Sequence, residues 1–174
     1  MEKKKKLTTK VECFEPIVGK KPRVLILGTM PGKKSLKTGE YYSDPKNQFW
    51  AMIETLYNGG KSFQCYEEKL KCLKNNNIAL WDVYECCERK GSLDEDIKDA
   101  TPNKLDIFLK NNPTISVVLC NGKRAWRELK KRQLPIEFHC MPSTSDRYFS
   151  MPKEKKIEKW RVAIMNGVNS PLLG

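Results

Sequence analysis

Four short runs of apolar, mostly β-branched residues recur along the chain, and the segments between them carry helical periodicity. The runs are RVLILG (Arg23 to Gly28), IALWDV (Ile78 to Val83), ISVVLCNG (Ile115 to Gly122) and IEFHCMPS (Ile136 to Ser143). Each has strand length and is bounded by turn formers. Helical patterns fall at 47–57, 65–75, 103–110, 123–132 and 153–165. Strands that alternate with helices pair in parallel, with the helices covering both faces. The predicted fold is therefore α/β, a three-layer α/β/α sandwich around a central four-stranded parallel sheet. Ligands of such sheets bind beyond the carboxyl ends of the strands. The unusual residues collect there: Gly28-Thr29-Met30-Pro31-Gly32, Trp81-Asp82, Asn121-Gly122 and Pro142-Ser143-Thr144-Ser145.

The turn after the first run, LILGTMPGKKS, comes close to a nucleotide phosphate loop. That loop needs G-x-x-x-x-G-K-[ST], whose backbone N–H groups surround the phosphates. Here Gly28 and Gly32 enclose only three residues, Lys34 stands where the hydroxyl belongs, and Pro31 has no N–H to donate. The segment that follows, LKTGEYYSDP, is broken by Gly39 and Pro45, whereas a true phosphate loop opens a helix at once. An ATP or GTP site is not expected.

With 174 residues, the chain is long enough for one domain with a real core. We expect a basic tail and lead-in over 1–22 and a single domain over 23–174. The 33 Lys and Arg against 21 Asp and Glu give a formal charge of +12, which points to a polyanionic partner such as nucleic acid. No apolar run reaches the length of a membrane span, and the first residues lack a signal-peptide core. A cytoplasmic, DNA-associated protein follows as the expectation. The seven cysteines include no C-x-x-C pair, which argues against zinc or an iron–sulfur cluster. Cys120 and Cys140 read as small buried hydrophobes, and no disulfide, metal or cofactor is expected.

Four segments, in order, carry a resemblance: GTMPGKKSLKTGEYYSDPKNQFW, ALWDVYECCERKGSLDEDI, CNGKRAW, and MPSTS with a downstream lysine and Trp160. They resemble the deoxyinosine (hypoxanthine) DNA glycosylases of the uracil-DNA glycosylase superfamily. The resemblance runs from about Val24 to the end of the chain. It implies a uracil-DNA glycosylase-like fold and a monofunctional enzyme that flips a deaminated base, chiefly hypoxanthine, out of DNA and cleaves its N-glycosidic bond with water. In related mismatch-specific uracil glycosylases, an asparagine before the first motif's proline positions that water. This chain has Met30 there, and the resemblance moves the role to Asn47 in the P-x-N-x-F-W segment.

The reaction passes through an oxocarbenium-like sugar, so placing a water and stabilising charge matter more than a strong base. An amide holds a water through its carbonyl oxygen but takes no proton at neutral pH. Read locally, Asn47 ahead of FWAMIETL is a helix cap, and both roles can hold. Asp82 is the second catalytic candidate, accepting the N1–H of hypoxanthine or holding a water; a cap or an ion pair with Arg89 is its structural alternative. The base pocket is assigned to Gly28, Thr29 and Met30, with Tyr41, Tyr42 or Trp81 as the stacking ring. Packing is the alternative for those three, and Phe49, Trp50 and Trp160 read as core.

DNA contacts are assigned to Lys33, Lys34 and Ser35, and to Ser143, Thr144, Ser145 and Arg147, with Arg147 and Tyr148 as a wedge where the base has left the stack. Met141 replaces the histidine that uracil-specific relatives carry, and His139, on the same strand face, reads as packed. Asp44 stands where the family more often has histidine. GSLDEDI reads as a turn and a helix start capped by Ser92 or Asp94. The expected partner is single- or double-stranded DNA containing damaged bases, bound by a monomer. Two other readings stay open: a uracil or thymine mismatch glycosylase on the same fold, and a damage-sensing DNA-binding module. The second is kept open by Met30 and Met141 standing at two usual catalytic positions.

Overall fold

Every residue of the strand Val24–Gly28 is buried, as a central parallel strand covered on both faces must be. The structure, a computed structural model, describes residues 9–171. In chain order its elements are β1 (Thr9–Glu12), β2 (Val24–Gly28), α1 (Lys33–Thr38), α2 (Phe49–Tyr57), α3 (Tyr66–Asn75), β3 (Ile78–Asp82), β4 (Tyr84–Arg89), β5 (Lys98–Pro102), α4 (Leu105–Asn111), β6 (Val117–Asn121), α5 (Lys123–Lys130), β7 (Glu137–Met141) and α6 (Lys153–Asn169). A single 3₁₀ turn, Asp94–Asp96, precedes β5.

The four predicted strands form one parallel sheet in the order β3-β2-β6-β7. Alternation along the strands divides the core. Val24, Ile26, Ile78, Leu80, Val117 and Leu119 pack with α2, α3 and α6 through residues such as Phe49, Leu73 and Trp160. Leu25, Leu27, Ala79, Val118 and Cys120 face the other way, against α4 and α5. The result is the three-layer sandwich. α6 lies so close to the sheet that a Cβ at Gly167 would sit 2.5 Å from both Val24 and Val117 side chains. Only glycine permits that approach.

Several expectations need correction. A second, antiparallel sheet of order β1-β4-β5 packs beside the sandwich. β1 joins it from a distant part of the chain, with Thr9 opposite Arg89, and β4 and β5 pair with register shifts, so no regular local pattern marks them. The lead-in belongs to the folded body from Thr9 on: Cys13 N–H bonds the Glu85 carbonyl, and Ile17 pairs with Leu80. The lysine-rich start, through residue 8, lies outside the described residues. A short helix, α1, does open directly after the Gly-Pro turn, which removes one argument against a phosphate loop while the spacing and Pro31 retain theirs. GSLDEDI makes only the 3₁₀ turn, with no side-chain cap.

β7 is an edge strand, and its exposure overturns two further expectations. His139 is exposed, its Nε2 2.7 Å from Glu137 Oε1, and Cys140 is exposed as well. Cys120, one strand inward, is buried. Among the described residues no helix is long and apolar enough to cross a membrane.

Candidate active site

The parallel register brings Gly28 beside Asp82, and Asn121 beside Met141, at one end of the sheet. A cleft of about 560 Å³ opens there, walled by the turn 28–35, the loop 41–47, the turn 92–95 and the loop 143–148. Its size is that of a small-molecule site.

Gly28 makes the floor possible. A Cβ at this position would lie 2.5 Å from Asp82 Oδ1 and 2.8 Å from the Tyr42 hydroxyl oxygen, so a side chain here would collide with both. Tyr42 stacks on Phe49, with centroids 4.3 Å apart and planes 25° apart, and its backbone is left-handed with φ 52°. That conformation is costly for a bulky residue and is held by its surroundings. Its hydroxyl accepts from Asn121 Nδ2 at 3.0 Å. Burial raises the phenol above its ordinary range, so Tyr42 stays protonated.

Asp82 is 3% exposed. Its Oδ2 is buried without a hydrogen-bond partner. Burial, then the neighbouring Asp94, push its pKa up to about 7, against the lowering influence of Arg89. The ion pair with Arg89, the alternative role for Asp82, is not formed: Arg89, itself 3% exposed, donates to the Pro31 carbonyl and leaves Nε and Nη1 unpartnered. Arg89 thus braces the glycine-proline turn from beneath. Asp94 reaches the same cleft and accepts from Thr29 Oγ1 at 3.1 Å. Burial holds its pKa above the ordinary range. Arg124 donates to the Asp94 carbonyl and to Tyr84. Two carboxylates whose burial favours their protonated forms thus line one cleft.

Asn47, from the loop before α2, lines the same cleft. Its Oδ1 accepts the Phe49 N–H at 2.9 Å, at the start of α2. The local cap and the cleft position coexist. One lone pair of Oδ1 and the Nδ2 donors remain for a water or substrate. Gln48 N–H donates to the Thr144 carbonyl at 2.8 Å, joining this wall to the last motif.

Thr29 and Met30 line the cleft, as assigned. Trp81 does not: it turns to the other face, packs on Phe108 at 5.0 Å and donates to the Phe14 carbonyl. Successive strand residues face opposite ways, so Asp82 and Trp81 cannot share the cleft. Tyr41 borders the cleft, but its ring packs edge-on against Phe14 at 5.1 Å and its hydroxyl bonds backbone carbonyls. Of the three rings, Tyr42 alone presents its polar head to the floor.

The DNA-contact set divides in the same way. Lys33 and Arg147 are exposed at the rim. Lys34 is exposed but paired with Asp44 at 3.0 Å. Ser35 is buried and accepts the Ser43 N–H, and Thr144 is fully buried against Asn121. These two are corrected from phosphate contacts to internal braces. Ser143 and Ser145 accept the N–H groups of Ser145 and Arg147, which leaves each hydroxyl hydrogen free to donate. Tyr148 is half-buried under the Lys156 ammonium, 5.1 Å from the ring. The apolar side chain exposed on this loop is Phe149, 87% accessible, which the sequence reading passed over. Asp94, read as a cap, and Asn121, given no role, were likewise missed; the position of Asn121 at a strand end could have flagged it, whereas Asp94 sits in a turn that only the tertiary fold brings to the cleft.

Three comparisons bear on this site. The family model of the uracil DNA glycosylase superfamily matches residues 16–168. A hypoxanthine DNA glycosylase of Methanosarcina acetivorans is 32% identical over 148 residues, covering 83% of this chain and 94% of that protein. The Methanosarcina barkeri hypoxanthine DNA glycosylase is 34% identical over 116 residues, 67% of this chain and 73% of that one. The solution NMR structure of a Methanosarcina acetivorans protein, provisionally described as a uracil DNA glycosylase, superposes with a TM-score of 0.77 at 30% identity, covering 90% of this chain and 97% of that one. With motif order, sheet topology and cleft in agreement, the chain belongs to the uracil DNA glycosylase superfamily.

Proposed function

We propose that this protein is a monofunctional DNA glycosylase that removes deaminated bases, chiefly hypoxanthine, from DNA. The observation that supports the reading is that Asn47 and Asp82 line one and the same cleft. Asn47, its orientation set by the Phe49 N–H, holds the attacking water on its remaining lone pair. Asp82, ionised near neutral pH, accepts the N1–H of hypoxanthine. As the C–N bond breaks, positive charge grows on the sugar and negative charge on the base, and a cleft closed by flipped DNA keeps bulk water from both. Lys33 and Arg147 at the rim contact phosphate, with Ser143 and Ser145 as hydroxyl donors. Acting on cellular DNA, the enzyme works in the cytoplasm as a monomer.

Release of free hypoxanthine from an inosine-containing oligonucleotide, followed in single turnover, tests the proposal. Release of uracil alone would favour the mismatch glycosylase reading. Tight binding without release would leave a damage-sensing module.

A further inference from the structure

Asn121, at the floor, spends all of its donor capacity inside the protein. Its Oδ1 accepts the Thr144 N–H at 2.9 Å, which fixes which amide atom is oxygen. Nδ2 then donates to Thr144 Oγ1 at 2.9 Å and to the Tyr42 hydroxyl at 3.0 Å. An amide has two N–H hydrogens. With both committed, Asn121 cannot donate to a base.

What it sets up is the pair beside it. The Tyr42 oxygen receives the Asn121 N–H, so its own hydrogen remains, and among the described residues no acceptor takes it. Asp82 brings its Oδ1 to the same point above Gly28, 2.5 Å from where a Cβ would lie, while the other carboxylate oxygen, Oδ2, is buried without a partner. One donor and one acceptor therefore stand side by side over a residue with no side chain. Left-handed backbone at Tyr42 and the stack on Phe49 hold the donor in place.

We infer that the Tyr42 hydroxyl and Asp82 together read the N–H/C=O edge that deamination creates on a base, with Asn121 as the residue that positions the Tyr42 donor. The inference rests on the glycosylase reading and names what that site recognises. Adenine offers an acceptor at N1 and a donor at N6; hypoxanthine offers the reverse, N1–H and O6. Uracil and xanthine carry the same N–H/C=O edge, and cytosine does not. A site built to hydrogen-bond one order rejects the other by roughly 10⁴-fold, because its buried groups are left unpaired. Charge that develops on O6 as the base leaves is met by the Tyr42 O–H. Guanine and thymine share the edge, and their exclusion falls to the cost of unpairing them before flipping.

The test uses duplexes that cannot be cleaved, carrying 2′-fluoro-deoxyinosine or the 2′-fluoro nucleoside of unsubstituted purine, each opposite an abasic spacer so that pairing plays no part. Wild-type protein is expected to bind the inosine duplex roughly 10²-fold more tightly than the purine duplex, which lacks both N1–H and O6. Tyr42→Phe keeps the ring and should erase most of that difference, weakening binding of the inosine duplex far more than binding of the purine duplex. Equal losses on both duplexes, or no loss on either, would overturn the inference. A 6-thio-inosine duplex bound by wild-type protein gives a check that needs no variant: sulfur accepts weakly, so binding should fall about 10-fold, and unchanged binding counts against Tyr42 as donor. Discrimination without hypoxanthine release from ordinary inosine DNA would refute the glycosylase reading alone; release without Tyr42-dependent discrimination would refute this inference alone.

Discussion

Asn121 holds Thr144 at two points, taking its N–H on Oδ1 and donating from Nδ2 to Oγ1, each at 2.9 Å. The Thr144 carbonyl in turn takes the Gln48 N–H. One buried threonine thus ties the end of β6, the last motif and the residue after Asn47. Thr144→Val, which keeps shape and loses the acceptor, leaves an Asn121 N–H unpaired at a cost of about 1–3 kcal/mol. Calorimetry should show Tm lower by roughly 2–4 °C for each kcal/mol. Thr144→Ser should be near neutral; equal damage by serine would assign the effect to the lost methyl instead.

Asn47 has two roles that one pair of substitutions separates. Asn47→Ala removes the acceptor of the Phe49 N–H, costing about 1 kcal/mol, and should slow hypoxanthine release at least ~10²-fold with DNA affinity nearly intact. Asn47→Ser keeps a capping oxygen but not the reach of the amide. A serine variant with a near wild-type single-turnover rate would move the catalytic assignment to Asp82.

Asp82 links rate, stability and pH. With a pKa raised from 3.8 to about 7 by burial and Asp94, it ionises across neutrality, and excision should rise as pH goes from about 6 to 8. Stability moves the other way. Between the ordinary carboxylate value and about 7 the folded state holds a proton that the unfolded chain has lost, so stability falls as pH rises through that window. Asp82→Asn should therefore be inactive yet more stable than wild type at pH 8, on the order of 1–3 kcal/mol by chemical denaturation. A variant less stable at pH 8 would show that the carboxylate is paired after all.

Rim cations should set the salt dependence of binding. Lys33, Lys46 and Arg147 are exposed around the cleft, and each phosphate neutralised contributes about 0.9 to the slope of log affinity against log salt. Arg147→Ala or Lys46→Ala should lower that slope by nearly one apiece. A slope unchanged in both variants would place the DNA on another face.

The sheet was legible because its signal is local. Each of β2, β3 and β6 is an apolar run of strand length, as a strand buried on both faces must be, while the edge strand β7 was marked by its length and the turn formers that bound it. The helical intervals made the pairing parallel, and parallel pairing puts strand ends, and with them Gly28, Asp82 and Asn121, at one edge. Asn47 and Asp82 could be singled out on motif and chemistry.

The rest depended on distance. β1 and β4 pair residues as far apart as Thr9 and Arg89, and a strand such as YECCER alternates too weakly to declare itself. Whether Trp81 or Asp82 faces the cleft is decided by the phase of the pleat against the neighbouring strands, and Thr144 reads as a surface hydroxyl until Asn121 is beside it. Sequence by itself determined which segments are strands, in what sense they pair and which residue types stand at their ends, since those follow from local burial and chain connectivity. Tertiary structure alone decided which of those ends are spent on one another and which remain for a ligand, because a hydrogen bond is a statement about two groups in space and each residue type carries only half of it.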